Sequence, residues 1–265
     1  MAKIKALMTV ASDEQLAILR QEFPAEQGFK RTQLPRLGMF AQDKFEGVGK
    51  AKKVVAEAGM FFIEKETDEE NEKGGKVWAK EEIGTEIDVT IIFQRKTLKY
   101  YDEKNETFTA SSVYDTDDEI IPLWANKAEI DRGTPAELKA RPQYQFEKDG
   151  KIKSKLGDNR ILYVIYEGEL HQMNLRGSSM YSWMSYQRSC NPSAVITHLS
   201  STAEAKGSIA WNKMSFDKVR DITGIEATSV IEKVTEIKDA IVQEKAFFAT
   251  QNTASEKAKG NLEKF

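Results

Sequence analysis

The side chains in this sequence best equipped for chemistry are arginines, lysines and aromatic rings, and the chemistry they suit is the grip of a polyanion that carries stackable bases. Arg95, Lys96, Lys99, Tyr100 and Tyr101 crowd one short segment, and Trp78 lies between Lys76 and Lys80. Arg176 and Arg188 bracket Tyr181, Trp183 and Tyr186, and upstream Lys30, Arg31, Arg36, Lys44, Lys50, Lys52 and Lys53 are opposed only by Asp43 and Glu46. Single-stranded nucleic acid is held by cations that follow its phosphates and by rings on which its bases stack. The candidate contacts are therefore Lys30, Arg31, Arg36, Arg95, Lys96, Lys99 and Arg176 for phosphates, with Trp78, Tyr100 and Tyr101 for bases. The bland alternative is that the rings fill a core and the lysines solvate a surface. Tyr163, Tyr166 and Trp183 are assigned to the core on that ground. Tyr100 and Tyr101 are consecutive, so in a strand they point to opposite faces and at least one is exposed.

Catalytic apparatus is not visible. The chain has no G-x-x-x-x-G-K-[ST], G-x-S-x-G, H-E-x-x-H or C-x-x-C motif. Its two histidines, His171 and His198, each sit in a segment read as strand, and its one cysteine, Cys190, has no assignable partner histidine. Asp115, Asp117, Asp118 and Glu119 form an acidic run with the hard oxygen ligands that divalent cations take, but a solvated turn explains the run more simply. No enzyme activity, metal or cofactor is expected. With a net charge of −3 the molecule as a whole does not attract nucleic acid, so any anion-binding surface must come from local segregation of charge. A single cysteine points to a reducing compartment. The start Met1-Ala2-Lys3-Ile4-Lys5 lacks the apolar run of a secretion signal, and no stretch of about 20 apolar residues could cross a membrane. A cytoplasmic location is expected.

The elements that must position these groups are mostly strands. Ser12-Asp13-Glu14-Gln15 carries a capping-box pattern that starts a short helix ended by Pro24. The acidic, glycine-bearing run within Glu64–Lys80 reads as a surface loop. Ile87, Val89, Ile91 and Phe93 alternate with polar residues, and a hairpin turning at Asp102–Asn105 leads into Thr107–Tyr114. Thr134 and Pro135 are the cap and first residue of a short helix within Glu129–Lys139. Ile161–Tyr166 is apolar on both faces, as in a covered strand, and turns at Glu167-Gly168 into Leu170–Leu175. Gly177-Ser178-Ser179 opens a helix on which Met180, Trp183 and Met184 share a face. A strand pair follows, about Ala194–Ser201 and Ser208–Phe216, turning at Lys206-Gly207. Val230, Val234, Ile237, Ile241 and Phe248 then stand at heptad-like spacing on an amphipathic helix that either packs on the sheet or joins a second copy.

The succession Leu34-Pro35-Arg36-Leu37, Glu86–Ile92, Tyr100-Tyr101 and Ala110–Asp115 resembles single-stranded DNA-binding proteins of phages and mobile elements. Gly133–Lys139, Leu162–Val164 and Gly177–Trp183 resemble the same group, so the likeness spans about Leu34 to Phe216. It implies a β-rich α+β protein built on an antiparallel, OB-fold-like barrel that takes up single-stranded DNA on a sheet face and its loops, with the helix after Gly177 closing the barrel. Together with the element reading above, the expected organisation is an N-terminal helical segment (1–27), the barrel domain (28–220), a long C-terminal helix (225–250) and a flexible tail (251–265). The implied role is sequence-independent coating of single-stranded DNA in phage-like replication or recombination, in the host cytoplasm if the source is viral. The long C-terminal helix is an addition to the family pattern, and homo-oligomers through it are a separate expectation. The Lys257–Phe265 end lacks the acidic tail with which many such proteins recruit partners. The rival expectation is a structural or assembly protein that makes protein contacts through sheet edges and the same helix.

Overall fold

A computed structural model describes residues 34–46, 53–70, 76–102, 105–126 and 128–239. In chain order the strands are β1 (Leu37–Met39), β2 (Lys44–Glu46), β3 (Lys53–Ala56), β4 (Phe61–Glu70), β5 (Lys76–Gly84), β6 (Glu86–Asp102), β7 (Thr107–Ser111), β8 (Ile121–Ala125), β9 (Ala128–Gly133), β10 (Gln145–Lys148), β11 (Lys151–Ser154), β12 (Gly157–Tyr166), β13 (Glu169–Leu175), β14 (Val195–Lys206) and β15 (Ile209–Asp221). Helices are α1 (Pro135–Ala140), α2 (Gly177–Ser189) and α3 (224–239). The strands pair antiparallel throughout the named ladders. No helix among the described residues is long and apolar enough to cross a membrane.

The chain divides into two compact units, one of Leu34–Gln94 with Asn159–Ile231 and one of Arg95–Asp158 with the residues from Glu232. In the first, β12 and β13 pair through the turn at Glu167 and Gly168, both with positive φ, which suits a two-residue hairpin turn. The long hairpin β14–β15 joins β6 through Glu86–Val89. Alternation along these strands sends Ile87, Val89, Ile91, Leu162, Val164, Leu199 and Phe216 into one core, and α2 adds Trp183 and Tyr186 to it. Trp183 is fully buried, and its Nε1 donates to Gln94 Oε1 at 3.0 Å, so burial of the ring leaves no donor unsatisfied. The first turn of α2 is pinned to β15, where Met214 N donates to Ser179 Oγ and Trp211 Nε1 to Ser178 Oγ, each at 3.0 Å.

In the second unit β6, β7, β8 and β9 lie side by side. Helix α1 begins at the predicted place: Thr134 Oγ1 accepts from Glu137 N while Glu137 Oε2 accepts from Thr134 N, a full capping box with Pro135 behind it. Leu98, Tyr114, Ile121, Leu123, Leu138, Tyr144 and Leu156 form this unit's core.

Two expectations are corrected. No sheet among the described residues closes into a barrel: the largest is open and branched, with β6 as the branch point for β7, β12 and β14. The acidic run is not a loop from Glu64 onward, because β4 continues to Glu70 and β5 begins at Lys76. Opposite charges hold that ladder, with Lys65 on Glu81 at 2.5 Å and Lys80 near Glu64 at 3.8 Å, so a charged sequence still makes a strand when its partner carries the complement. Helix α3 starts on a second capping box, Thr223 with Glu226, and buries Val230, Val234 and Ile237 within the single chain. The helix expected near residues 12–23, the continuation of α3 to 250 with Ile241 and Phe248, and the tail all lie outside the described residues.

Candidate nucleic-acid interface

The β6–β7 register decides which side chains share a surface. Lys99 stands opposite Ala110, Tyr101 opposite Phe108, and across the next ladder Ala110 stands opposite Trp124. Directly paired residues point to the same side, and residues two apart along a strand do too. One face of the second unit therefore carries Lys99 and Tyr101 from β6, Phe108 and Ala110 from β7, and Trp124 from β8. Tyr101, Phe108 and Trp124 are 52%, 53% and 41% exposed. Tyr101 and Phe108 are direct neighbours at about 5 Å between Cβ atoms, and Phe108 is diagonal to Trp124 at about 7–8 Å. Ala110 sits low between Lys99 and Trp124. The result is a shallow platform of three rings across adjacent strands with one cation on it. A β-bulge between Leu123 and Trp124 shifts the β8–β9 register at the rim, where Glu129 stands opposite Trp124 and accepts two bonds of 2.8 and 2.9 Å from Arg132.

The reverse face explains why these rings point outward. Leu98 is fully buried there and Tyr100 packs on the same cluster, with Lys155 Nζ 5.9 Å from the Tyr100 ring centre. On β7 the usual alternation is inverted: Thr109 and Ser111 are buried and Phe108 is exposed. The buried Ser111 hydroxyl is satisfied, since Leu98 N donates to Ser111 Oγ at 2.9 Å and Ser111 Oγ lies 3.3 Å from Thr97 Oγ1. An apolar ring left in water beside two others forms an exposed patch, the kind of surface that marks an interaction site.

The sequence-derived candidates fall in different places. Tyr101 and Lys99 are on the platform; Tyr100 is on its underside. Arg95 is 5% exposed and donates from Nε to Asp115 Oδ1 at 2.9 Å, with the Asp115 side chain fully buried. That guanidinium is enclosed with its counter-ion and does not present itself to a phosphate. Lys96 bonds Asp117 Oδ1 at 3.0 Å. In the first unit, Arg36 is exposed 3.8 Å from Glu64 and 5.9 Å from the Phe62 ring centre. Trp78 is half-buried on β5, and Arg176 is the exposed residue before α2. Lys30 and Arg31 lie outside the described residues. Tyr163 and Trp183 are core residues as expected, and Tyr166 is partly buried against the same cluster.

The acidic turn is a structural device here. Glu119 Oε1 accepts from the backbone N–H groups of Asp115 and Thr116 at 3.0 and 2.9 Å, and Asp115 faces Arg95. A hydrogen bond from Thr116 holds the Asp118 carboxyl below the ordinary range. No group of three metal-ligating side chains occurs among the described residues.

No family model matches this chain, and no curated protein or solved structure is significantly similar to it. Its site must be read from its own geometry.

Phe108 and Trp124 are the residues that the sequence reading missed. A signal for the first was present. A hairpin turning at 102–105 places Phe108 opposite Tyr101, so the exposure argued for one tyrosine extends to its partner. Nothing local marks Trp124, whose exposure depends on the register of a third strand.

Proposed function

We propose that this chain binds single-stranded DNA without sequence preference, stacking bases on Tyr101, Phe108 and Trp124 while Lys99 takes a phosphate beside them. The observation that carries this reading is the row of three exposed rings on adjacent strands with a lysine among them. Every base has a π-face, so a stacking platform is tolerant of sequence, and each stacked base is worth about 1–3 kcal/mol. On this reading the open antiparallel sheet with α2 packed on it is an OB-like arrangement. The role is then the one expected from the succession of sequence segments: covering single strands during replication or recombination. Arg95 has no part in the contact, and Tyr100 supports the platform from below.

The test is fluorescence anisotropy of a labelled oligothymidine titrated with the protein at several salt concentrations. Saturable binding that weakens as salt rises is expected, because phosphate contacts release counter-ions. Absence of binding at low salt contradicts the reading. Large assemblies formed without DNA, together with that absence, would favour the structural role instead.

A further inference from the structure

The second unit carries another feature that the platform does not use. Strands β10 and β11 form a two-stranded ribbon of their own, paired Gln145 with Ser154, Phe146 with Lys153, Glu147 with Ile152 and Lys148 with Lys151. It turns at Asp149 and Gly150, with φ of 55° and 69°, the pair of positive values that a tight two-residue hairpin turn requires. Its base is held at Lys155, whose N–H donates to Tyr144 O at 2.7 Å, and from there outward almost every residue is exposed.

Pairing and alternation sort the ribbon into two unlike faces. One carries Phe146, Lys148, Lys151 and Lys153; the other carries Gln145, Glu147, Ile152 and Ser154. Lys148 and Lys151 stand directly opposite each other, an arrangement in which like charges destabilise the ladder. An isolated two-stranded hairpin is marginally stable in water to begin with. Two half-buried lysines of this unit have carboxylate partners, Lys96 with Asp117 and Lys139 with Asp158. None of Lys148, Lys151 and Lys153 is in an ion pair among the described residues. The cationic face also holds a ring, Phe146, that is 40% exposed. Three cations and one ring on a single exposed ribbon face match a polymer that alternates charge with flat apolar groups.

We infer that the β10–β11 ribbon is a second contact for single-stranded DNA, in which Lys148, Lys151 and Lys153 each neutralise a phosphate and Phe146 meets a base. This rests on the reading of the chain as a single-strand binder and adds to it the element that supplies most of the salt dependence. The platform holds bases and contributes one cation, whereas the ribbon holds phosphates.

The experiment measures oligothymidine affinity against salt for the full chain, for K148Q/K151Q/K153Q, for K148R/K151R/K153R and for F108A/W124A. Each phosphate contact to a single strand contributes about 0.7 to the slope of log K against log salt. The glutamine triple is expected to lower that slope by about 2, the arginine triple to retain it, and the platform variant to lower affinity with the slope unchanged. A fall of less than about 0.7 in the glutamine triple, the value of one contact, overturns the inference. Circular dichroism monitors folding; should the triple misfold, K148Q, K151Q and K153Q are measured singly, and their summed change is judged by the same threshold. Failure of the unmodified chain to bind at all removes the single-strand reading and this inference together. Loss of slope in the ribbon variant with no effect of F108A/W124A leaves the ribbon standing and removes the platform.

Discussion

The two units differ in how their exposed aromatic rings are grouped. In the first, Trp183, Tyr186 and Phe216 gather inside, with ring centres 5.5 to 6.1 Å apart, and β6, β12, β14 and α2 close around them. In the second, a core of its own buries Tyr114 and Tyr144, yet Tyr101, Phe108 and Trp124 stand together on an open sheet face. The first unit also exposes rings, but singly, as Tyr181 on α2 and Phe45 on β2. Ring content therefore does not separate the units; strand register does. Where neighbouring ladders bring exposed rings side by side, a platform results, and where they do not, an exposed ring is an ordinary surface residue.

The contrast is tested most severely by removing one tryptophan from each unit. Trp183→Ala should cost about 3–5 kcal/mol of stability through the cavity it leaves. Chemical denaturation reads this, and Trp124→Ala should leave the unfolding midpoint nearly unchanged. Equal destabilisation by the two changes would break the comparison. Arg95→Met probes the second unit's interior: leaving the Asp115 carboxylate buried beside an apolar chain should cost about 3–5 kcal/mol. The salt slope of DNA binding should be unaffected in the surviving folded protein. If that slope falls instead, Arg95 reaches a phosphate. A smaller effect concerns the platform, where Phe108→Ala and Trp124→Ala should each weaken oligothymidine binding by about 1–3 kcal/mol, read by anisotropy at fixed salt.

The weakest expected effect is one of pH and belongs to the first unit. His171 is buried on β13, and burial holds its imidazole below the ordinary histidine range, against the opposing pull of Glu169 and Glu167. The unfolded chain then takes up the proton more readily than the folded one. Stability is thus fully present above a pH of about 6.5 and declines as pH falls through the lowered folded value. Thermal unfolding between neutral and mildly acidic pH should show that decline, and His171→Gln should flatten it. A decline that persists unchanged in His171→Gln assigns it to other groups.

What was legible in the sequence was local chemistry. The Thr134-Pro135 helix start, the Glu167-Gly168 turn and the two-sided apolar strand at Ile161–Tyr166 are each fixed by a few adjacent residues, and each is present. Thr223 and Glu226 carry the same box as Thr134 and Glu137, and Asp149-Gly150 is an equally local hairpin turn. Both were readable but overshadowed, the first by the heptad spacing that follows it and the second by the polarity around it. What escaped was decided at a distance. Glu64–Glu70 becomes a strand because β5 pairs with it and sets Lys80 opposite Glu64, and Arg95 becomes an interior residue because the turn at Asp115 folds back on it. Phe108 faces outward while Thr109 and Ser111 turn inward, where Ser111 finds hydroxyl and backbone partners, an inversion that residue type argues against.

The most direct measurement is ultraviolet cross-linking of the full chain to oligothymidine, followed by mass spectrometry of the cross-linked peptides. Cross-links at Tyr101, Phe108 or Trp124 are the predicted result. Cross-links confined to rings of the first unit, such as Tyr181, Phe45 or Trp78, would contradict the assignment of the binding face to the second unit's open sheet.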